Sequence, residues 1–497
     1  MDTAWIPQVR QIEGIWVPSV HADCNHNEYV ALLKRTLGPT PAPVESGMAG
    51  VRRVFDRLCR LAGRYSGERW SHLETAYSYT GALRRRYLEA EESLRVDGPI
   101  CSRDVYLRAF LKAEKFDQLA KFQKPRLIFP RSPRYNLELA TRLKPFEHWL
   151  WRNLKSVGNF KSSKTRVVAK GLSGPQRAAL IRRKMSGIPD CVVVEVDGAS
   201  FESHCGSWVL MCEHRVYKSA FRGDKGLSEL LRHQLKLKGT TKCGWKFERE
   251  GARASGDFNT GMGNSLIMLA VVTWAIEDLR LPTADILVDG DNALIFLPRP
   301  RLALFQRSFP KTAIRAGFTM TLERPVGTME QVRFGQSAPV EIRPGKWTMV
   351  RDWRKVLSQG TSSHIHLRDP AWAKQWLHGV AQAELALARG VPILWRWAAS
   401  LMEATRHRKK AVSLERYPEY KMLGVGWEQF DSCHVVEPTM EGRQSFERAF
   451  GISVPDQLAI ESGLRVLDVQ LDCCNVLEVP NVKEHADPLL LGRATCI

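Results

Sequence analysis

Several features that often settle a protein's function are missing from this sequence. None of its 11 cysteines falls in a C-x-x-C pair, so neither a disulfide framework nor a zinc ribbon is indicated, and a reducing compartment fits best. His21, Cys24 and His26 lie close together, but no second half with ligand spacing follows them. The longest apolar run, Leu266 to Ile276, is too short to span a bilayer and contains Thr273. Polar residues start at Asp2, too early for a secretory signal. There is no G-x-x-x-x-G-K-[ST] phosphate loop and no evident capping domain. Membrane attachment, unwinding and capping, if needed, are therefore expected from other proteins.

Acidic residues are also scarce, with 53 Asp and Glu against 73 Lys and Arg and a formal charge of +20. An excess of that size points to a polyanion, either nucleic acid or an anionic membrane surface. Its location favours the first. Between Lys121 and Lys184 there are 17 basic residues and only Glu138 and Glu147 to oppose them. Phe122, Phe129, Tyr135, Phe146, Trp149, Trp151 and Phe160 are interleaved with that charge, a mixture suited to a groove that grips phosphates while packing on a core. With 497 residues and 44% hydrophobic content, the chain can bury a large core, as two to four domains or one multi-lobed unit.

Residues 1 to about 50 are weakly periodic, and Gly38 to Pro43 reads as an extended linker or strap in which little chemistry is expected. From Val51 to about Leu111 the pattern is helical: Val54, Leu58 and Leu61 keep one face, and Ala82 to Leu94 forms a charged amphipathic helix. Next comes Lys124-Pro125-Arg126-Leu127-Ile128-Phe129-Pro130-Arg131. A short strand between prolines here would present Arg126 and Arg131 as bidentate phosphate ligands, the clamp a triphosphate needs. Surface arginines beside turns are the plainer alternative.

Two acidic strand ends then stand out. Val192 to Val196 reads as a buried strand ending at Asp197, with Glu202 five residues on and a helix from about Ser207. Ile286 to Val288 and Ala293 to Leu297 read as a β-hairpin whose tip is Asp289-Gly290-Asp291-Asn292. A calcium loop starting at Asp289 is excluded, because Leu294 takes the place of its turn Gly and Pro300 that of its closing Glu. Asp-Gly tips are common as plain turns. If the two segments are neighbours, however, Asp197 and Asp291 converge and can clamp two Mg²⁺ ions about 4 Å apart for an in-line phosphoryl displacement. Between them, Ser255-Gly256-Asp257-Phe258-Asn259-Thr260-Gly261-Met262-Gly263-Asn264 reads as a flexible loop feeding a helix, able to touch sugar and phosphate closely.

In this order, the motifs resemble those of the RNA-dependent RNA polymerases of positive-strand RNA viruses, most closely the tombusvirus-like group, over roughly residues 75 to 465. KPRLIFPRSPRYNLEL is similar to the family's fingertip motif, and KGLS from Lys170 to a pre-palm segment. DGASFESH resembles motif A, SGDFNTGMGNS motif B and VDGDNALIF motif C. ERPVGTMEQVRFGQSAPV resembles the stretch ending in the primer grip, and FGISVPDQLAIE a thumb segment.

The resemblance implies an α+β right-hand fold, largely helical outside a small antiparallel palm sheet. It divides the chain into an N-terminal strap (1–50), fingers (51–190 and 217–253), palm (191–216 and 254–344) and thumb with a C-terminal segment (345–497). It implies RNA synthesis from NTPs on an RNA template, growing a nascent RNA. Asp197 and Asp291 would hold two Mg²⁺ ions, replaceable by Mn²⁺, with Asn292 beside them. Lys112, Lys115, Arg126 and Arg131 would neutralise the triphosphate. Glu202, Ser255, Gly256, Thr260 and Asn264 would contact the nucleotide and its ribose. A reverse transcriptase is expected to carry a bulky aromatic where Glu202 stands, so this acid argues for ribonucleotides. The implied setting is host cytoplasm at membrane-associated replication sites, with other viral or host replication proteins as anchors.

Three positions depart from the family pattern: Asn292 where Gly-Asp-Asp is usual, Glu202 in place of Asp, and Gly335 in place of the primer-grip Cys. Gly-Asp-Asn resembles the motif of negative-strand viral polymerases, and an Asn can ligate through its carbonyl oxygen. The motif D lysine has no clear counterpart; Arg324 and Lys311 are nearest, and the proton donor is unassigned. A catalytically degenerate, RNA-binding replication subunit is the alternative that these changes keep open.

Overall fold

The computed structural model describes residues 3–7, 12–117, 120, 123–363, 366, 369–406, 412–467, 469–473, 475–477 and 492–495. Lys121 and Phe122 of the basic segment lie outside the described residues. The chain is mixed helix and sheet, with small and mostly antiparallel sheets, as expected.

The sheet that matters for function has four antiparallel strands in the order Met320–Leu322, Cys191–Gly198, Asn292–Pro298, Asp285–Asp289. Its strands are runs of β-branched and aromatic residues because both faces are covered. Side chains alternate across a strand, so Val192, Val194 and Val196 enter one core with Ile286, Val288 and Ile295. Val193, Leu287, Leu294 and Phe296 enter a second core with Ala169, Ile181 and Phe334.

Across the first face lies the Thr260–Asp278 helix, whose residues from Met262 to Ile276 are all buried. A helix apolar all round is a core helix. The longest apolar run of the sequence is therefore the hub of the main core, and among the described residues no helix is long and apolar enough to cross a membrane. The Glu45–Ala62 helix packs on it through Val51, Val54, Phe55 and Leu58.

A second sheet has five strands, in the order Gly492–Thr495, Lys246–Glu250, Lys236–Thr241, Leu107–Leu111 and Leu127–Ile128. Leu107–Leu111 runs parallel to Lys236–Thr241 and alternates buried and exposed residues, so the helical pattern expected up to Leu111 ends earlier, at Val105. Its period is two rather than 3.6. The helix Ser207–Ala220 contains the 216/217 boundary drawn from sequence. Beyond the Ser337–Arg343 and Lys346–Arg351 hairpin, the chain is largely helical, and Trp376, Leu377, Val380 and Leu385 of Pro370–Leu387 are buried in its cores.

The amino-terminal segment is more than a strap. It contains the strand Pro18–His21, the helix Asn25–Ala31 and a π-helical turn, Leu32–Thr36.

Candidate active site

The Asp285–Asp289 and Asn292–Pro298 strands are joined by Gly290-Asp291, and Gly290 has φ +63°, which glycine adopts without strain. Asn292 is opposite both Asp289 and Asp197 in the sheet register. That register sets the end of the Cys191–Gly198 strand beside the hairpin tip, and the Gly198 N–H donates to the Asp291 carbonyl at 3.1 Å. The tip is also held from the core helix: Ser265 Oγ accepts from the Gly290 N–H at 3.0 Å and donates to the Gly261 carbonyl at 2.8 Å. Two acids 94 positions apart in the chain thus meet because adjacent strands end together.

Asp197 and Asp291 line one cavity of about 500 Å³ with Arg35, Arg126, Glu195, Glu202, Asn292, Glu323 and Gln336. Among the described residues, neither aspartate has an ion-pair partner. Burial, then the negative charges of Glu202 and Asp197, push Asp291 up to about 6. Burial and Glu323 push Asp197 upward, against the opposing pull of Arg126. Burial with Glu323 and Asp197 raises Glu195 to about 7. Like charges crowded into a poorly solvated cavity are costly unless a cation joins them.

A smaller cavity holds Lys112, Arg126, Glu202, Arg253 and Ser255, and Arg35 lines both. Lys112 pairs with Glu114, which also lies 3.3 Å from Arg126. Arg35 was not anticipated: it lies in the segment where little chemistry was expected, and no periodicity or motif marks it. It is placed by the Leu32–Thr36 turn, whose Arg35 carbonyl accepts from Ser203 Oγ and whose Thr36 carbonyl accepts from Arg249. Burial and the neighbouring Arg126 charge lower its basicity. Glu195 and Gln336 were likewise missed. Glu195 shares a strand face with Asp197 at spacing two, which is a readable signal; Gln336 has φ +60° and carries none.

Three anticipated ligands are engaged elsewhere. Arg131 is 4% exposed, paired with Asp257 and donating to the Val105 and His233 carbonyls, so it is a buried structural cation. Lys115 gives its ammonium to the Gln359 and Ser362 carbonyls. Thr260 donates to the Asp257 carbonyl at 2.8 Å and accepts from the Gly256 N–H at 3.3 Å, closing its own loop. That loop is stitched down further by the Phe129 N–H to the Ser255 carbonyl and the Phe258 N–H to Asn136 Oδ1. Gly256 packs against the Phe129–Pro130 backbone. Asn264 is buried and bonded to Arg253. Of the two proton-donor candidates, Arg324 lines a neighbouring cavity with Glu323 and Lys311 is exposed on its helix, and neither reaches the aspartates' cavity.

The donor set suits hard divalent cations. Mg²⁺ commonly takes one or two protein carboxylates and leaves its other positions to water and phosphate oxygens. Among the described residues, no three His, Cys, Asp or Glu side chains gather as a self-sufficient metal cage. Asp197 and Asp291 form an open, acid-lined pair.

The four-stranded antiparallel sheet thus brings paired acids at its strand ends into one cavity that Arg35 and Arg126 also line. The sequence model of the viral RNA dependent RNA polymerase family matches residues 20–472, and the chain belongs to that family. It is 31% identical over 465 residues to the RNA-directed RNA polymerase of Tomato bushy stunt virus (strain Cherry), covering 91% of this chain and 55% of that protein. It is 32% identical over 460 residues to that of Cymbidium ringspot virus, covering 90% and 54%. For Carnation mottle virus the figures are 31% over 439 residues, 87% and 55%. The chain thus spans about half the length of the curated relatives it matches.

Proposed function

We propose that this chain is an RNA-directed RNA polymerase that copies a viral RNA by transferring nucleotides from NTPs to an RNA 3′-hydroxyl. The observation that carries the reading is the register that sets Asn292 opposite Asp197, and with it Asp291 beside Asp197, in one acid-lined cavity under Arg35 and Arg126. Family membership and the named relatives support it.

In this reading Asp197 and Asp291 hold two Mg²⁺ ions, for which Mn²⁺ can substitute, with Asn292 offering a carbonyl oxygen. Such a pair supplies Lewis-acid stabilisation of the attacking 3′-oxygen and of the departing pyrophosphate. The bond formed joins the 3′-oxygen to the α-phosphorus, and the bond broken is that from the α-phosphorus to the bridging oxygen. Arg126, Arg35 and Lys112 neutralise the triphosphate in place of Arg131 and Lys115. Glu202 accepts a hydrogen bond from the ribose, and Ser255 and Asn264 complete the sugar contacts. No side chain is assigned as proton donor to the pyrophosphate.

The fold is read as a right hand, with the four-stranded sheet as palm, the five-stranded sheet and its helices as fingers, and the helices after residue 345 as thumb. RNA template, nascent RNA and NTPs are the partners. Other replication proteins would anchor the enzyme at membrane-associated sites in the host cytoplasm.

Primer extension by the purified chain tests the reading. Template-dependent NTP incorporation that disappears in both Asp197→Ala and Asp291→Ala, with RNA binding intact, is the expected result. RNA binding without incorporation by the parent chain would instead identify the degenerate, RNA-binding relative that Asn292 and Glu202 keep in view.

A further inference from the structure

The sugar-reading residues of this site depend on a buried ion pair that touches neither of the metal-holding aspartates. Glu213 and Arg253 are 0% and 3% exposed. Both Arg253 Nη groups donate to the Glu213 carboxylate, Nη1 at 3.2 Å to Oε1 and Nη2 to Oε2. Oε1 also accepts from Tyr217 at 2.6 Å and from Asn259 Nδ2 at 2.9 Å, and Asn259 is fixed in turn by Gln234. The carboxylate therefore has donors on both oxygens, and although burial pushes it up, the Arg253 charge holds it below its ordinary value. The pair is pressed against the first turn of the Thr260–Asp278 helix: a Cβ at Gly263 would collide with Glu213 Oε1 and Arg253 Nη2.

With both Nη groups committed, one arm of Arg253 remains. Its Nε donates to Asn264 Oδ1 at 3.0 Å. A guanidinium only donates, so the amide of Asn264 has one permitted orientation, with its oxygen toward Arg253 and its NH₂ turned away. Among the described residues, that NH₂ has no partner. The Arg253 backbone N–H, meanwhile, donates to the Glu202 carbonyl at 2.9 Å. One residue thus ties down both sugar-contacting positions, the first through its main chain and the second through its side chain.

We infer that Arg253, clamped by Glu213, is the positioning residue for ribose selection, holding Asn264 as a donor through its side chain and anchoring the acceptor Glu202 through its main chain. A ribose 2′-hydroxyl both donates and accepts, so it satisfies the pair, whereas a deoxyribose leaves a buried amide and a carboxylate unmatched. The inference rests on the polymerase reading and deepens it by assigning the polarity of sugar recognition.

Kinetics of NTP and dNTP addition to an RNA primer–template, compared as a ratio of kcat/KM, tests it. Arg253→Lys keeps a cation for Glu213 but lacks the Nε arm. Asn264→Asp keeps the contact with Arg253 but replaces the donor by a second acceptor. Each is expected to lower the NTP/dNTP ratio about tenfold, chiefly through poorer NTP use, and the double variant to fall no further than either single, because both act on the one amide donor of Asn264. Damage to the fold alone would lower both substrates together and leave the ratio in place. A parental ratio in either folded single variant, or multiplying losses in the double, would overturn the inference; if Arg253→Lys does not fold, the ratio of Asn264→Asp decides. Failure of the parent chain to add any NTP would overturn the polymerase reading itself, a separate and distinguishable outcome.

Discussion

The substitution Asp291→Asn is expected to stabilise the metal-free protein while ending its activity. The Asp291 carboxyl sits at about 6 rather than the ordinary 3.8, because its charge is poorly solvated and faces Glu202 and Asp197. The folded state therefore binds this proton more tightly than the unfolded chain does. The stability so conferred is complete below pH 3.8 and is lost as pH rises through 6; above that, the fold carries an unwelcome charge. The difference corresponds to about 3 kcal/mol, at 1.36 kcal/mol per pH unit. A neutral amide at this position carries no such cost. In EDTA at pH 8 the variant should gain up to about 3 kcal/mol, and at pH 5, where Asp291 is largely protonated in the fold, about half as much. For a chain of this length that is about 3 °C in melting temperature, if it unfolds cooperatively. Calorimetric melting of both proteins at the two pH values provides the measurement. A variant that melts no higher than the parent at pH 8, or a gain that does not grow with pH, would refute the electrostatic account of the site.

Three other outcomes follow from the same structure. Restoring a carboxylate with Asn292→Asp should shift the ratio of Mn²⁺-supported to Mg²⁺-supported extension toward Mg²⁺; an unchanged ratio would remove Asn292 from the metals' surroundings. Lys184 is fully buried, with Nζ 2.7 Å from Asp285 Oδ1 and 2.9 Å from Thr165 Oγ1 at the base of the hairpin, so Lys184→Met should cost about 3–5 kcal/mol in urea unfolding by stranding Asp285. Arg35→Ala and Arg126→Ala should raise KM for NTPs at near-parental melting temperature, whereas Arg131→Ala should lower melting temperature by abandoning Asp257; a KM effect confined to Arg131 would reverse these assignments.

The local pieces of the site were legible in the sequence. Alternating β-branched residues marked the Cys191–Gly198 strand, and Gly290-Asp291 between two apolar runs marked the hairpin, because strand period and turn chemistry are short-range properties. The adjacency of Asp197 and Asp291 came only from the order of the motifs, since pairing across 94 positions leaves no local trace. Two of the anticipated cations have other partners in the fold for a related reason. A sequence displays Arg131 and Lys115 but not the partners that neutralise them, Asp257 for one and the Gln359 and Ser362 carbonyls for the other, each more than 120 positions away. Arg35 was invisible for the converse reason: its segment has no period, and only docking on Ser203 and Arg249 turns it toward the acids.

The central claim is that Asp197 and Asp291 act as one centre for a pair of divalent cations. Electron paramagnetic resonance of Mn²⁺ bound to the chain with primed RNA and a non-hydrolysable NTP tests it most directly. Two spin-coupled Mn²⁺ ions are predicted in the parent, with the coupling lost in both Asp197→Ala and Asp291→Ala. Coupled ions that persist in either variant, or a parent that binds only isolated Mn²⁺, would contradict the account.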